Sequence, residues 1–458
     1  MKKILAIALL TATCVWQLSA QEEKEVKKGW SLGILPTATY SVDNGFQAGA
    51  FGDVYYYGDG ATYPDPLHKI SWEASYFTKS RRVRLYLAYD SKYLIPNMRI
   101  NASATYMTDP LYSFWGFNGP ASLTNLDQPY TEYWTNKESG INYFGMNRQM
   151  LRILANVQGR IVDHLNWAAG VNFWNWKISD MDAKFGYDTE KTLFNDYKKL
   201  GIINADEAAG GNALEINAGL VFDTRDMEAA PNKGIWAEAY LNGNVLQHQY
   251  LKACMYFRHY IDIPIHIPAG DPVFAYRLAW QQTIAGETPL YMIQNNPLLV
   301  QRNMISEGFG SSNTIRGLRE NRILAEGMAW ANVELRVKLV KFKLFNQFFY
   351  IAVNPFFDAG MITKAYRADV FADILKNSDG QMFDKRLVPF KQANFPGQSD
   401  YKGLIYDEAN LHKLIYSAGA GLKIAMNQNF IISADFAHCF TPGLDAGLWI
   451  GIGINYQF

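Results

Sequence analysis

Side chains alternate strictly in the segment Ile450-Gly451-Ile452-Gly453-Ile454-Asn455-Tyr456-Gln457-Phe458. Even-numbered positions carry large apolar or aromatic groups, and odd-numbered positions carry glycine or an amide. Because successive side chains of a β-strand point to opposite faces, this strand has one apolar face and one small, polar face. Strands of a membrane-spanning barrel share this pattern, with lipid outside and a wet lumen inside. An edge strand of a soluble sheet alternates similarly, so the strand count and the connections must decide.

The same alternation recurs in three earlier segments of the chain. Apolar residues occupy the odd positions from Ala329 to Leu339, the even positions from Leu214 to Phe222 and the odd positions from Val83 to Tyr89. Polar residues take most of the positions between them. In all, the chain holds sixteen strand-like segments, an even number, as in single-chain bacterial barrels. They begin near Trp30, Phe46, Lys69, Arg82, Met98, Gln149, Leu165, Ala213, Gly234, Tyr250, Pro272, Gly327, Phe348, Lys413, Asn429 and Gly447.

Long connections between these segments follow only odd-numbered strands. They are 109–147, 180–211, 286–325 and 361–410, after the fifth, seventh, eleventh and thirteenth strands. If the first strand starts in the periplasm, all four long loops are extracellular and the intervening turns are short, as in outer-membrane barrels. We therefore predict an all-β fold, a transmembrane antiparallel β-barrel of sixteen strands with both termini in the periplasm.

The N-terminal residues indicate export. A basic pair precedes the apolar run Ile4–Leu10, and Leu18-Ser19-Ala20 offers a small-residue cleavage site. This pattern predicts a secretory signal peptide; a lipoprotein anchored at Cys14 is the weaker alternative. The predicted division is a signal peptide at 1–20, a short periplasmic segment at 21–29 and the barrel at 30–458. The expected location is the outer membrane of a Gram-negative-type bacterium.

Composition supports this class. Tyr 28, Phe 27 and Trp 12 are enough for two interfacial aromatic girdles. After the signal peptide no apolar stretch is long enough for a helical span, and mean hydropathy is −0.16. The formal net charge is zero, without a basic block, so we expect no nucleic-acid partner.

One strand end and the turn after it resemble a family pattern. Phe222-Asp223-Thr224-Arg225-Asp226 precedes Pro231-Asn232-Lys233-Gly234. This resembles the BamA/TamA superfamily, whose shared part is the bacterial surface antigen barrel. There an aspartate-arginine-aspartate strand end leads into a Pro-x-Lys-Gly turn. The matching residues are Asp223, Arg225, Asp226, Pro231, Lys233 and Gly234, and the strand count makes the turn periplasmic. A well-formed hairpin alone would also favour proline, asparagine and glycine here.

A second stretch, Gly310–Leu318, lies between the eleventh and twelfth strands. Its tip Ile315-Arg316-Gly317-Leu318 resembles the Val-Arg-Gly-Phe tip of the family's sixth extracellular loop, with two mild replacements. The resemblance implies that this loop folds back into the lumen. It also implies that Arg316 anchors the loop by pairing with acidic residues on the next two strands.

Those two strands offer Glu334 and Asp358 as lumen partners of Arg316. The second lies in Phe356-Phe357-Asp358-Ala359-Gly360, where Phe356, Asp358 and Gly360 match the family's aromatic-x-Asp-x-Gly pattern. A guanidinium held away from bulk water independently requires carboxylates that fit its planar fork. The alternative is an ordinary solvated loop arginine.

The C-terminal region adds weaker resemblances. The motifs Ser417–Leu422 and Asp435 resemble the family only weakly when each is taken alone. The aromatic pair Tyr456 and Phe458 resembles the C-terminal signal of outer-membrane barrels. One departure stands out, because the segment before Trp30 has no space for a periplasmic POTRA domain. The resemblance therefore implies a barrel-only member.

Motifs for catalysis and cofactors are missing from the sequence. It has no Gly-x-Ser-x-Gly elbow and no Walker loop. His438 and Cys439 would point to opposite faces of one strand, so a shared metal is not expected. Cys254 and Cys439 fall on lumen-facing positions of the tenth and fifteenth strands, where we expect free thiols. We predict no enzymatic activity, no cofactor and no metal.

The resemblance implies a barrel that assists insertion or translocation of proteins, or of lipids, at the outer membrane. In the family a poorly paired seam between first and last strands can open, and an exposed strand edge can template a client strand. Two alternatives stay open: a solute-conducting channel and a structural subunit of a larger outer-membrane complex. Expected partners are outer-membrane lipid, client outer-membrane proteins and a separate periplasmic or barrel-complex subunit.

Overall fold

The computed structural model has sixteen antiparallel strands that close into one barrel. Each strand pairs with its neighbours in sequence, and the first pairs with the last, which confirms the predicted fold class. The described residues are 26–63, 65–123, 135–136, 141–190, 192–228, 230–265, 267–293, 308–344, 347–376, 408–426, 430–442, 444 and 447–454. The predicted signal peptide at 1–20 and the aromatic pair Tyr456 and Phe458 lie outside them.

The barrel strands are numbered here in chain order. The first eight are β1 Trp30–Ser41, β2 Gly45–Tyr56, β3 His68–Phe77, β4 Val83–Ile95, β5 Met98–Ser113, β6 Gly145–Val162, β7 Leu165–Ser179 and β8 Gly210–Asp223. The last eight are β9 Gly234–Asn244, β10 Tyr250–Asp262, β11 Val273–Gly286, β12 Gly327–Leu344, β13 Gln347–Lys364, β14 Ile415–Met426, β15 Phe430–Cys439 and β16 Trp449–Ile454.

Polar side chains face the lumen and apolar side chains face outward, as the alternation predicted. On β8, Ile216 and Leu220 are 51% and 48% exposed on the outer face, whereas Glu215 and Asn217 are buried inside. A soluble sheet would bury the first pair and expose the second. This inverted arrangement is the one that a lipid-facing barrel requires.

Four long connections leave the same end of the barrel, called here the long-loop end; the opposite end is the short-turn end. The connections are 114–144, 180–209, 287–326 and 365–414. They carry helices α1 Pro120–Leu123, α2 Leu193–Lys199 and α3 Ala368–Lys376, 3-10 turns Ala183–Phe185 and Glu408–Asn410, and a small hairpin of Thr135–Asn136 with Ile141–Asn142. Among the described residues, no helix has the length and apolar character needed to cross a bilayer.

Two strands run farther than the sequence predicted. The connection expected from 109 begins only after Ser113, because the ladder between β5 and β6 shifts register between Asp109 and Tyr112 and then resumes. A bulge of this kind interrupts the alternation without ending the strand. The connection expected from 361 begins after Lys364, because Met361 and Ile362 still pair with β12.

Aromatic side chains from different connections meet at the long-loop end. Phe117 lies 4.3 Å from Tyr366 and 5.3 Å from Phe114, measured between ring centroids. Tyr197, in helix α2 of the connection after β7, lies 5.9 Å from Phe114. Buried lumen residues such as Trp176 belong to the same apolar cluster. This end of the lumen is therefore filled by apolar side chains. The cluster that includes Phe114, Phe117, Trp176, Tyr197 and Tyr366 is called here the dome.

The seam between β1 and β16 differs from the other strand pairs. On its other edge β1 pairs with β2 along its whole length, from Trp30 to Ser41. Towards β16, the described ladder pairs Tyr40 with Ile452 and Ser41 with Gly451, and the N–H of Val42 donates to the carbonyl of Ile450 at 3.3 Å. The pairing thus stands next to the β1–β2 turn at the long-loop end.

Candidate functional site

Arg316, in the loop between β11 and β12, lies inside the barrel against the lumen faces of β12 and β13. Its Nε and Nη2 donate to the two carboxylate oxygens of Asp358 at 2.8 Å each, and its Nη1 donates to Glu334 at 2.9 Å. The backbone N–H of Arg316 donates to Asp358 as well, at 3.0 Å. This two-pronged arrangement uses the planar fork of the guanidinium. The structure thus brings together the three residues that the family resemblance singled out.

The guanidinium is also covered from one side. Its carbon lies 3.4 Å from the centre of the Phe356 ring, a contact in which the ring face attracts the cation. Arg316, Glu334 and Asp358 are 4%, 2% and 0% exposed. Burial of charges is costly unless every charge has partners, and here each of these three has them.

More charged pairs extend this network across the lumen wall. Arg336 donates from Nε to the second oxygen of Glu334 at 2.9 Å. On the next strands, Lys423 donates to both oxygens of Asp435 at 2.8 and 3.1 Å. Glu334 therefore joins two guanidiniums, so it keeps one cation if the other is removed.

Arg277 and Asn332 hold the backbone that leads to Arg316. Arg277 donates from Nη2 to the carbonyl of Asn313 at 2.7 Å, and Asn332 donates from Nδ2 to the carbonyl of Thr314 at 2.6 Å. The two side chains are joined to each other at 2.9 Å. Strand alternation placed Asn332 on the polar face of its strand, but alternation carries no information on which loop atoms a side chain reaches.

Apolar residues and glycines pack the tip of the loop against the barrel wall. Ile315 and Leu318 are both fully buried. A Cβ at Gly360 would lie 2.8 Å from Cδ1 of Ile315, so the glycine of the aromatic-x-Asp-x-Gly motif leaves room for this side chain. Gly317 has φ +95°, and a Cβ there would lie 3.1 Å from Cys439 N and from Cβ of Ser417. The tip therefore fits closely against β13, β14 and β15.

Beyond its tip the loop crosses to the first strands of the barrel. The backbone N–H of Glu320 donates to Asp43 in the β1–β2 turn at 3.0 Å, and Arg82 donates to the Glu320 carboxylate at 3.0 Å. Trp115 donates to the carbonyl of Glu320 at 3.1 Å. No motif in the sequence predicted these contacts. One loop therefore connects β12 and β13 with the β1–β2 turn beside the seam.

The aspartate-arginine-aspartate motif lies at the short-turn end. Arg225 donates from Nε and Nη2 to Asp223 at 2.9 and 2.8 Å. Its guanidinium carbon lies 4.4 Å from the centre of the Trp236 ring, and that of Arg258 lies 4.2 Å from it. Both contacts are within the range of cation–π attraction. Arg225 and Trp236 thus form a packed base for the turn that follows.

Asp226 organises the turn itself. Its carboxylate accepts from the backbone N–H of Asn232 at 3.0 Å, from the Asn232 side chain at 3.0 Å and from the N–H of Lys233 at 3.3 Å. Partial burial alone would raise the pKa of Asp226, but these hydrogen bonds outweigh it and lower that pKa below its usual value. Pro231 is buried, and Gly234 has φ +106°, which favours glycine.

Comparison with known protein families gives one match over most of the chain. The model described as the Omp85 superfamily domain matches residues 69–444. No match was found among curated protein sequences.

Comparison with solved structures places the barrel among related folds. The chain is similar to BamA from Haemophilus ducreyi lacking POTRA domains 1–3, with TM-score 0.50, 12% identity and coverage of 93% of this chain and 70% of that one. It is also similar to CdiB from Escherichia coli, with TM-score 0.50, 8% identity and coverage of 93% and 62%. At these identities the likeness shows the fold alone.

Proposed function

This chain belongs to the Omp85 superfamily, and from that premise we propose that it is an integral outer-membrane barrel that assists insertion or translocation of proteins, or of lipids. We propose no catalytic role and no cofactor. We propose an orientation in the membrane in which the long-loop end is extracellular and both termini are periplasmic. The signal-peptide pattern and the placement of all long connections after odd-numbered strands support it.

The observation that carries the proposal is the seam. Within the described residues, β1 is fully paired on its β2 edge, whereas its ladder with β16 comprises Tyr40 and Ser41 and is followed by a hydrogen bond from the Val42 N–H to the Ile450 carbonyl. An incompletely paired edge presents backbone N–H and C=O groups that can bind another strand. Addition of a strand at such an edge is a known mode of peptide recognition. A nascent outer-membrane strand is the client chemistry that fits it.

The Arg316 loop would hold this seam in position. Arg316 fixes the loop to β12 and β13, and Glu320 fixes it to Asp43 in the β1–β2 turn. Both anchors belong to one loop, so the β1–β2 turn is tied to β12 and β13, on the β16 side of the barrel. We propose that Arg316 is the loop anchor and that Glu334 and Asp358 are its lumen partners.

The filled lumen argues against the channel alternative. The Arg316 loop occupies the lumen, and the dome residues around Phe117 close its long-loop end. A solute-conducting barrel needs a continuous aqueous path. A role as a structural subunit remains compatible with a closed barrel. The experiment must therefore show whether the chain itself speeds the folding of a client barrel.

The test is reconstituted assembly. Proteoliposomes with the purified chain receive a urea-unfolded outer-membrane barrel, and its folding is followed by the heat-dependent shift in gel mobility. We expect faster folding than in empty liposomes or in liposomes that hold an equal mass of an unrelated closed barrel. Equal rates in all three would contradict assistance by this chain. Solute efflux from the same proteoliposomes would instead support the channel.

A further inference from the structure

The turn between β8 and β9 reaches into the barrel mouth at the short-turn end. On one side, Glu228 accepts from Nη1 of Arg99 at 3.0 Å and forms an ion pair with Lys92 at 3.2 Å. Lys92 stands near the end of β4, and Arg99 near the start of β5. These strands are not neighbours of β8 or β9 in the barrel, since β6 and β7 lie between.

The same turn contacts the wall on its other side. Ala230 packs against a buried apolar cluster on the lumen faces of β13, β14 and β15, formed by Tyr350, Ala352, Ala425 and Ile431. Asn232 accepts from Nζ of Lys338 on β12 at 2.8 Å. The turn therefore extends from β4 and β5 to β12 through β15, across the mouth.

The contacts of the turn differ in strength along its length. Its base is held by the two-pronged Arg225–Asp223 pair and by the packing of Arg225 on Trp236. Farther along, Glu228 contacts β4 and β5 through ion pairs whose side chains are between 17% and 37% exposed. Partly exposed pairs of this kind contribute little individually. The side-chain contacts of Glu228 with β4 and β5 can therefore be released while the base stays in place, where Arg225 also donates to the carbonyl of Glu228 at 3.2 Å.

From this geometry we propose that residues 224–228 and 230–233, called here the mouth turn, are a gate that controls access to the lumen from the short-turn end. In the closed state Glu228 holds it to β4 and β5, and Ala230 and Asn232 hold it to the opposite wall. Opening requires release of the contacts on both sides of the mouth. Because the dome fills the long-loop end, the open gate makes the lumen a chamber that is accessible from one side only.

The test measures how fast a lumen thiol reacts in the folded barrel. Cys254 and Cys439, both buried, are replaced by serine, and Asn217→Cys on the lumen face of β8 becomes the reporter. A charged methanethiosulfonate reagent is applied to the protein in detergent micelles, after heat-dependent gel mobility has shown that the barrel is folded. Asp182→Cys, in an exposed loop position, gives the rate of an open site.

Two variants open the gate from different sides. Glu228→Gln removes the ion pairs with Lys92 and Arg99, and Ala230→Asp places a charge against the apolar cluster. We expect each to raise the labelling rate of the reporter roughly tenfold, which corresponds to about 1.4 kcal/mol in the opening equilibrium. The matched control is Asp163→Asn, which removes an exposed ion pair with Arg160 at the same end of the barrel. It should leave the rate unchanged.

Two results would overturn the gate. In the first, the reporter in the otherwise unchanged barrel reacts as fast as Asp182→Cys, so the mouth is open. In the second, Glu228→Gln and Ala230→Asp, both folded, label no faster than Asp163→Asn. Neither result depends on client assembly, so the gate and the proposed function fail separately.

Discussion

Arg316 and Asp358, separated by 42 positions in sequence, are joined by three hydrogen bonds of 2.8 to 3.0 Å, one from the backbone N–H and two from the guanidinium. The pair fixes both the main chain and the side chain of the loop tip to β13. It lies in the lumen, where Asp358 is fully buried and Arg316 is 4% exposed. The tip of the loop is thereby held to β13 through both its backbone and its side chain.

Truncation of the arginine should destabilise the barrel. We expect Arg316→Ala to cost about 3–5 kcal/mol of unfolding free energy, because it leaves the buried carboxylate of Asp358 without its cation. The unfolding free energy of Arg316→Lys should lie between those of the unchanged protein and of Arg316→Ala, since an ammonium keeps the charge but cannot reproduce the planar fork of a guanidinium. The measurement is denaturant unfolding in micelles, with Lys184→Ala, an exposed lysine, as control. Equal midpoints for Arg316→Ala and Lys184→Ala would mean that Arg316 is an ordinary solvated arginine.

The two carboxylates should not contribute equally. Asp358 receives three hydrogen bonds from Arg316, whereas Glu334 receives one and also holds Arg336. Double-mutant cycles with Arg316→Met should therefore give a larger coupling energy for Asp358→Asn than for Glu334→Gln. A larger coupling to Glu334 would contradict the assigned geometry.

Substitution at Gly317 should cost more than backbone strain alone. Gly317→Ala places a Cβ at φ +95° and 3.1 Å from Cys439 N, whereas Gly186→Ala has a similar φ of +82° with no atom within 4 Å. We expect about 1–3 kcal/mol from the strained backbone in both and a further loss only at Gly317. The readout is the difference between the two unfolding free energies. Indistinguishable values would show that the loop tip is not closely packed.

The Asp226 turn should lose stability in acid. Partial burial opposes the charged form, but hydrogen bonds from Asn232 and Lys233 prevail and lower the folded pKa below the usual value of 3.8. A lowered pKa adds stability above pH 3.8, and this contribution is lost as the pH falls through the folded pKa. The destabilisation by Asp226→Ala should thus be the same at pH 7 and pH 5 and smaller near pH 3. A difference that stays constant down to pH 3 would exclude this account.

Strand alternation made the barrel predictable. Because lipid and lumen impose opposite chemistry on alternate side chains, the segments around Ala218 and Val333 have one apolar and one polar face. The strand count and the position of the long connections then indicated that the polar face points inward. The alternation also gave the number of strands and the end from which the long connections leave. The ends of strands were harder to predict, since the bulge between Asp109 and Tyr112 resembles a strand end in sequence.

Contacts between distant elements could not be derived from the residues alone. The pairing of Arg316 with Glu334 and Asp358 came from a family resemblance, while alternation showed only that both carboxylates face the lumen. The contact of Glu320 with the β1–β2 turn and that of Glu228 with Arg99 had no local signal. Both depend on which strands face each other across the closed barrel, a property of the assembled fold.

The most direct test of the proposed function locks the seam. With Cys254 and Cys439 replaced by serine, Tyr40→Cys and Ile452→Cys occupy directly paired positions across β1 and β16, a spacing that a disulfide can bridge. The matched control, Ala38→Cys with Ala48→Cys, bridges β1 to β2, where pairing is already complete. Folding of the client barrel in proteoliposomes should lose its stimulation when the seam is oxidised, recover with reductant and stay unchanged in the control. Full stimulation by the oxidised, seam-locked barrel would contradict assembly through this edge.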